Sequence, residues 1–291
     1  MKLGSEKAYA KVNLTLDVLG RRSDGYHDLR SFMQTVSLHD TITLTKATSR
    51  GIEVVSNLPY LPLDLKNLVG IATAVFFQEL GCLEESVRLE IQKGIPVCAG
   101  LGGGSADAAA TLRLLDRVYQ TNLSAARLEQ MASRIGSDAP FCVRGGTQLA
   151  EGRGERLTDI SPLPACHIVL CKPPIAVSTR DVFAGWKANK HAAHPDHAGM
   201  TEALTCGDIY AIASRMYNVL EEVMPSARAD IARIRDTMRD AGALGAVMSG
   251  SGPTVLGLFK DENTAQAAGE ILKAQYTEIF YTQPSRTLSF F

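Results

Sequence analysis

Gly100-Leu101-Gly102-Gly103-Gly104-Ser105-Ala106-Asp107 runs directly into the helix-forming stretch Ala108-Ala109-Ala110. Glycine lacks a Cβ, so a loop of this composition can turn several backbone N–H groups toward one point. A helix that starts near Ser105 adds unpaired N–H donors and the positive end of its dipole. Loop and helix start together form a cradle for an anion such as a nucleotide phosphate. The alternative, a flexible glycine linker, does not account for the helix former that follows at once.

The loop departs from the common phosphate-binding patterns. Walker A places a Lys before its Ser or Thr, and Ser105 has Gly104 there. A dinucleotide G-x-G-x-x-G begins at Gly100 and Gly102, but its third glycine falls on Ser105. No H-R-D, D-F-G or G-x-S-x-G occurs, which excludes a protein-kinase core and a nucleophile elbow. A Rossmann dehydrogenase carries its glycine loop in the first βα unit, whereas this loop follows several predicted strands.

Composition bounds the rest. With 291 residues, 45% hydrophobic and 21% charged, the chain suits one large or two medium domains. Its 30 basic and 31 acidic residues leave a net charge of −1, so no general positive field points to nucleic acid. The pair Arg21-Arg22 reads as a solvated turn or as an attractor of substrate phosphate. No apolar run approaches the roughly 20 residues that span a bilayer, and Met1–Lys7 lacks a signal core, so a cytoplasmic protein is expected. Cys82, Cys98, Cys142, Cys166, Cys171 and Cys206 form no C-x-x-C pair and read as reduced thiols. Cys98, just ahead of the loop, is the position where a reactive thiol is the alternative. His191, His194 and His197 have zinc-like spacing if helical, but Pro195 interrupts it and a solvated loop is expected.

Residues 8–18 alternate, with Val12, Leu14, Leu16 and Val18 opposite Lys11, Asn13, Thr15 and Asp17, which predicts a strand. Lys11 and Asn13 then share a face. Further strands are predicted at 41–46, 51–56, 87–93, 147–150 and 167–171, with helices over 67–80, 105–119 and 124–135. Later helices are expected over 179–189, 209–223, 226–241 and 264–275, with strands flanking Ser249–Thr254 and one closing the chain. Strands mixed with helices without strict β-α-β alternation indicate an α+β fold, and prolines near residue 162 place a boundary at about 155.

Pro96-Val97-Cys98-Ala99 with the glycine loop resembles the phosphate loop of the GHMP kinases, which include galactokinase, homoserine kinase and mevalonate kinase. Ala10-Lys11-Val12-Asn13-Leu14 resembles the first motif of that superfamily and Val247-Met248-Ser249-Gly250-Ser251-Gly252-Pro253-Thr254 the third. The resemblance spans nearly the whole chain. It implies a two-domain fold, 1–155 and 156–291, with the active site in the cleft between them. Gly20–His27 and Ile135-Gly136-Ser137-Asp138-Ala139-Pro140-Phe141 are similar to the branch that phosphorylates a cytidine-bearing sugar alcohol on the non-mevalonate route to isoprenoid precursors.

The resemblance also implies roles. Asp138 is the candidate base for the accepting hydroxyl, with a turn or helix-capping aspartate as the plain alternative. Lys11 pairs with Asp138 and helps to hold the hydroxyl. Pro96, Val97, Cys98, Ala99, Gly100, Leu101, Gly102, Gly103, Gly104, Ser105 and Ala106 carry ATP, joined by Ser249 and Gly250 of the second glycine loop. Asn67 faces adenine or merely caps a helix. Tyr26 and His27 hold the cytosine, or form an ordinary turn; Asn13 and Thr179 are weaker substrate candidates. Ser105 is an N-cap, a phosphate ligand or a ligand of Mg²⁺; no acidic metal ligand is assigned, and the cation is expected to ride on ATP phosphates and water. A small-molecule substrate is expected, with neither nucleic acid nor membrane, in a monomer or homodimer. The rivals are a kinase for homoserine or mevalonate, and a catalytically silent nucleotide-binding relative.

Overall fold

The computed structural model describes residues 2–63, 65–82, 86–187, 193–223 and 227–285. The first sheet is organised by one long strand. β1 (Lys2–Asn13) and β2 (Thr15–Arg21) lie antiparallel to β3 (His27–Lys46). β4 (Ile52–Ser56) runs parallel to β5 (Val87–Gln92), which pairs with the far end of β3. β6 (Thr147–Gly152) pairs with the near end of β3, and β7 (Arg156–Asp159) pairs with β6. The strand predicted over residues 8–18 is therefore two strands, separated at Leu14, whose N–H bonds the Phe32 carbonyl at 2.8 Å. Both faces of this segment are buried, so its alternation does not separate an inside from an outside.

Helices cover the sheet. α1 (Leu68–Glu79) is capped by Asn67, whose side chain accepts the Val69 N–H. α2 (Gly103–Tyr119) lies between α1, β1 and the other helices, with Ala106 to Leu115 wholly buried. The small alanines let it sit that deep. α3 (Ala125–Ser133) is capped by Ser124, and α4 (Ala139–Arg144) follows Asp138.

The second sheet has the order β10-β11-β8-β12, from β8 (His167–Lys172), β10 (Gly245–Met248), β11 (Val255–Phe259) and β12 (Glu278–Thr282). α5 (Thr179–Gly185) packs on the turn at 219–223, α6 (His197–Cys206) packs on α7 (Ile209–Ser214), which meets β10, and α8 (Arg228–Asp240) and α9 (Glu262–Lys273) pack on the sheet itself. The single helix expected over 209–223 is broken. α7 ends at Arg215, Tyr217–Asn218 form the short strand β9 parallel to β2, and Val219–Val223 make a 3₁₀ turn. Pairing with β2 there outweighs the helical pattern of the segment. Two apolar clusters result, one around Phe32, Phe76 and Phe141, the other around Phe259, Ile231 and Ile234. Leu16 and Val18 of β2 belong to the second, so β2 is shared by both halves.

Candidate active site

A cavity of about 1110 Å³ opens where the two halves meet, walled by Lys11, Gly102 and Asp138 from one and by Thr179, Gly250 and Ser251 from the other. The glycine loop forms its floor. Gly100 has φ +75°, and a Cβ there would fall 2.2 Å from the Ser249 carbonyl oxygen. Gly102 has φ +67° at the N-cap of α2, and its Cβ would stand 2.9 Å from Lys11 Cγ. Left-handed backbone and close approach thus both require glycine here. The Lys11 N–H bonds the Leu101 carbonyl at 3.0 Å, which ties the loop to β1.

Lys11 and Asn13 share a face as expected: Lys11 Nζ donates to Asn13 Oδ1 at 2.7 Å, and Asn13 Nδ2 donates to Ser31 Oγ at 2.7 Å. Lys11 Nζ also stands 3.2 Å from Asp138 Oδ2. Asp138 occupies the N-cap position of α4, yet its side chain makes no capping bond. A capping aspartate would turn toward the helix N–H groups; this one faces the ammonium and the cavity. The Ser249 N–H and Oγ fix the second glycine loop, Oγ donating to the Gly100 carbonyl at 3.1 Å and accepting the Asn13 N–H at 3.2 Å.

Tyr26 and His27 wall the other end of the cavity. Asp24 accepts the Tyr26 N–H at 3.0 Å, and Arg22 is engaged with Asp24 and Asp28, which fixes the turn. Arg21, by contrast, reaches the cavity wall. The His27 ring lies near-parallel to Phe183 at 5.5 Å and edge-on to Trp186 at 5.6 Å. Burial, and then the charge of Arg21, lowers the pKa of His27. Arg153 stands over the exposed Tyr26 ring at 5.1 Å.

Of the other positions singled out, Pro96 to Ser105 and Asn67 reach the cavity, while Ala106 and Ser249 are buried behind it. The Asn67 side chain is engaged with Val69 and the Pro62 carbonyl, so it is a cap on the cavity rim. Thr179 lines the cavity and shares a hydrogen bond with Ser251 at 2.8 Å. Cys98 is exposed there with φ 52°.

Reading by motif passed over several residues. Phe183, Trp186 and Arg153 stand in no glycine motif and come to the site only through folding. Lys93 is another: its ammonium lies against the start of α2, 3.3 Å from where a Gly103 Cβ would be. It is held by the buried Asp40 and by Asp107, 2.8 Å away. Burial drives the Asp107 carboxyl well above the usual carboxylate range, against the pull of Lys93. The signal was a lysine shortly before Pro96. The solvated histidine loop holds for His194, half exposed ahead of α6, but not for His197. His197 opens α6, and His194 Nδ1 and His197 Nε2 stand 2.8 and 3.1 Å from the oxygens of the buried Asp17. His191 lies outside the described residues. Among the described residues no three His, Cys, Asp or Glu side chains gather as a metal site.

The pattern of the GHMP kinases N terminal domain matches residues 67–146 and that of the GHMP kinases C terminal domain residues 200–278. The chain belongs to the GHMP kinases. It is 46% identical over 257 residues to a 4-diphosphocytidyl-2-C-methyl-D-erythritol kinase of Bacillus cytotoxicus, covering 88% of each chain. It is 42% identical to the one of Lachnoclostridium phytofermentans, covering 92% of each. A crystal structure of 4-(cytidine 5'-diphospho)-2C-methyl-D-erythritol kinase superposes with a TM-score of 0.81 at 31% identity, covering 97% of this chain and 99% of that one. Within the GHMP kinases, these relatives set it among the 4-diphosphocytidyl-2-C-methyl-D-erythritol kinases. Mevalonate kinase from L. major, at 18% identity with a TM-score of 0.75 over 97% of each chain, shares the fold.

Proposed function

We propose that this kinase transfers the γ-phosphoryl group of ATP to the 2-position hydroxyl of 4-diphosphocytidyl-2-C-methyl-D-erythritol, in the non-mevalonate route to isoprenoid precursors. The observation that carries this reading is Asp138, which leaves its helix uncapped to face Lys11 in a cavity with a phosphate cradle at one end and aromatic rings at the other.

Phosphoryl transfer needs a cradle, positive charge near the moving group and a placed hydroxyl. The N–H groups of Gly100 to Ser105 and the start of α2 hold the phosphates, and Ser249–Gly250 close the loop from the opposite half. Asp138 orients the accepting hydroxyl and takes its proton as the new bond forms. Lys11 holds Asp138 and stabilises charge on the transferring group. Asn13 fixes Lys11, and Thr179 lies on the acceptor side. Tyr26 and His27 bind the cytosine, by stacking and by hydrogen bonding. Asn67 stands at the adenine end.

Mg²⁺ supplies further charge neutralisation when bound. A cation carried by the polyphosphate and water would need few protein donors, and Ser105 Oγ, on the cavity wall, would be its ligand. The two sheets support a division into two halves with a boundary near 155, 1–155 and 156–291, although β7 and β9 pair within the first sheet and the first apolar cluster takes in Ile168, Leu170 and Leu256 of the second half. The reading goes with a cytoplasmic monomer or homodimer, where the free thiols stay reduced. No described helix is long and apolar enough to cross a membrane.

The test is ADP release from Mg-ATP with the cytidyl acceptor offered beside homoserine, mevalonate and galactose. Turnover with the cytidyl compound alone is expected. Turnover with another acceptor instead would overturn the roles of Tyr26 and His27, and none at all in a folded, ATP-binding protein would make it a silent relative.

A further inference from the structure

Asn218 is 3% exposed and is not part of the cavity wall, yet three parts of the site meet through it. Its backbone lies in β9, paired with Leu16 of β2, the strand that continues from Asn13. Its Nδ2 donates to the Met248 and Gly250 carbonyls, each at 2.8 Å, and its Oδ1 accepts the Leu220 N–H at 2.9 Å. Between those two carbonyls sits Ser249, whose Oγ bonds both the Gly100 carbonyl of the phosphate loop and the Asn13 N–H of the catalytic strand. Gly250 packs so near that a Cβ there would lie 3.1 Å from Lys11 Nζ and 3.3 Å from Asn13 Oδ1. Glu221 steadies the same turn, accepting the Met248 N–H at 2.8 Å.

We infer that Asn218 is a positioning residue for phosphoryl transfer: its amide holds the Ser249–Gly252 turn at one fixed spacing from Lys11 and from the Gly100 end of the phosphate loop. The inference rests on the proposed reading that Lys11 and the two glycine loops handle the phosphoryl group. The chemistry is selective for this side chain. Two carbonyls need two N–H donors from one planar nitrogen, while the Leu220 N–H needs an acceptor on the same group, and an amide offers both. A carboxylate of the same shape would crowd acceptors against acceptors. A smaller side chain would leave two buried carbonyls unpaired, and the turn would shift to satisfy them. Displacement of about 1 Å at a reacting group costs on the order of 100-fold in rate.

The test compares Asn218→Asp and Asn218→Ser with the unaltered full chain, reading kcat, both KM values, Tm and amide hydrogen exchange over residues 246–252. Ile234→Ala, in the second apolar cluster, serves as a control for stability loss alone. The expected result is a kcat lower by about 10- to 100-fold with KM for the cytidyl acceptor within about two-fold, because the aromatic end is built from other elements. Exchange at Ser249–Gly252 rises in the same variants. A kcat within about two-fold of the unaltered chain, or a loss no larger than Ile234→Ala shows at equal Tm, overturns the inference. Should Asn218→Asp not fold, Asn218→Ser decides. If the unaltered chain prefers a different alcohol, the comparison is made on that alcohol; the acceptor assignment then fails while the positioning role is still decided. If it turns over nothing, exchange decides, and an unchanged rate at Ser249–Gly252 overturns the inference.

Discussion

Lys11 Nζ stands 3.2 Å from Asp138 Oδ2, with the lysine side chain 5% exposed and the aspartate 35%. The ammonium is locked within the protein while its partner carboxylate is open to the cavity. That asymmetry suits the role proposed for Asp138, meeting a substrate hydroxyl. Asp138→Asn keeps the shape but loses the proton acceptor, so kcat should fall by at least about 10²-fold. ADP affinity, measured by calorimetry, should stay within about two-fold, because the cradle lies on other residues. A matching loss of nucleotide binding would make Asp138 structural.

Gly102 tests the cradle itself. Alanine there must adopt φ +67° and would press its Cβ to 2.9 Å from Lys11 Cγ. Gly102→Ala should weaken ATP binding by roughly 10-fold or more and lower kcat, since both loop and lysine are displaced. Titration with ATP and steady-state rates check the two effects separately.

Lys93 carries a structural load beneath the loop. Its side chain and those of Asp40 and Asp107 are almost fully buried together. Lys93→Met would leave two carboxylates there without a cation, a loss of about 3–5 kcal/mol in urea unfolding. Asp107→Asn should cost less, because Lys93 keeps its pairing with the buried Asp40.

His27 sets a pH dependence. Burial and Arg21 depress its pKa below the usual 6.5, so it is neutral at pH 7. As the folded value lies below the unfolded one, unfolding takes up a proton, and the stability linked to His27 falls as pH drops below about 6.5. If the neutral ring binds the cytosine, KM for the cytidyl acceptor rises as pH falls through the depressed value. His27→Gln should flatten that rise in a pH series.

Local chemistry made much of this legible. The caps at Asn67 and Ser124 depend on neighbours in the chain, and α1 and α3 stand where they predict, while α2 starts at Gly103, so the N-cap position expected at Ser105 falls to Gly102. Lys11 and Asn13 share a face because a strand has period two. Only the end of β3, at 41–46, was legible: the stretch before it includes Arg30, His39 and Asp40, and partners on several strands bury both faces over 31–36. Asp40 and Asp107 around Lys93, His194 and His197 on Asp17, and Asn218 under the second loop are satisfied by residues distant in the chain, which no local pattern encodes. The break at Arg215 is of the same kind, as the competing strand pair needs β2.

The two-residue strand β9 has a consequence for the chain's birth. β2 emerges from the ribosome long before Tyr217 and Asn218, which pair with its Thr15 and Leu16. Until they arrive, that edge has no partner, and the turn at Ser249 that braces Asn13 and Gly100 arrives later still. A chain made only as far as the phosphate loop therefore lacks both the partner of that edge and the turn that braces Asn13 and Gly100.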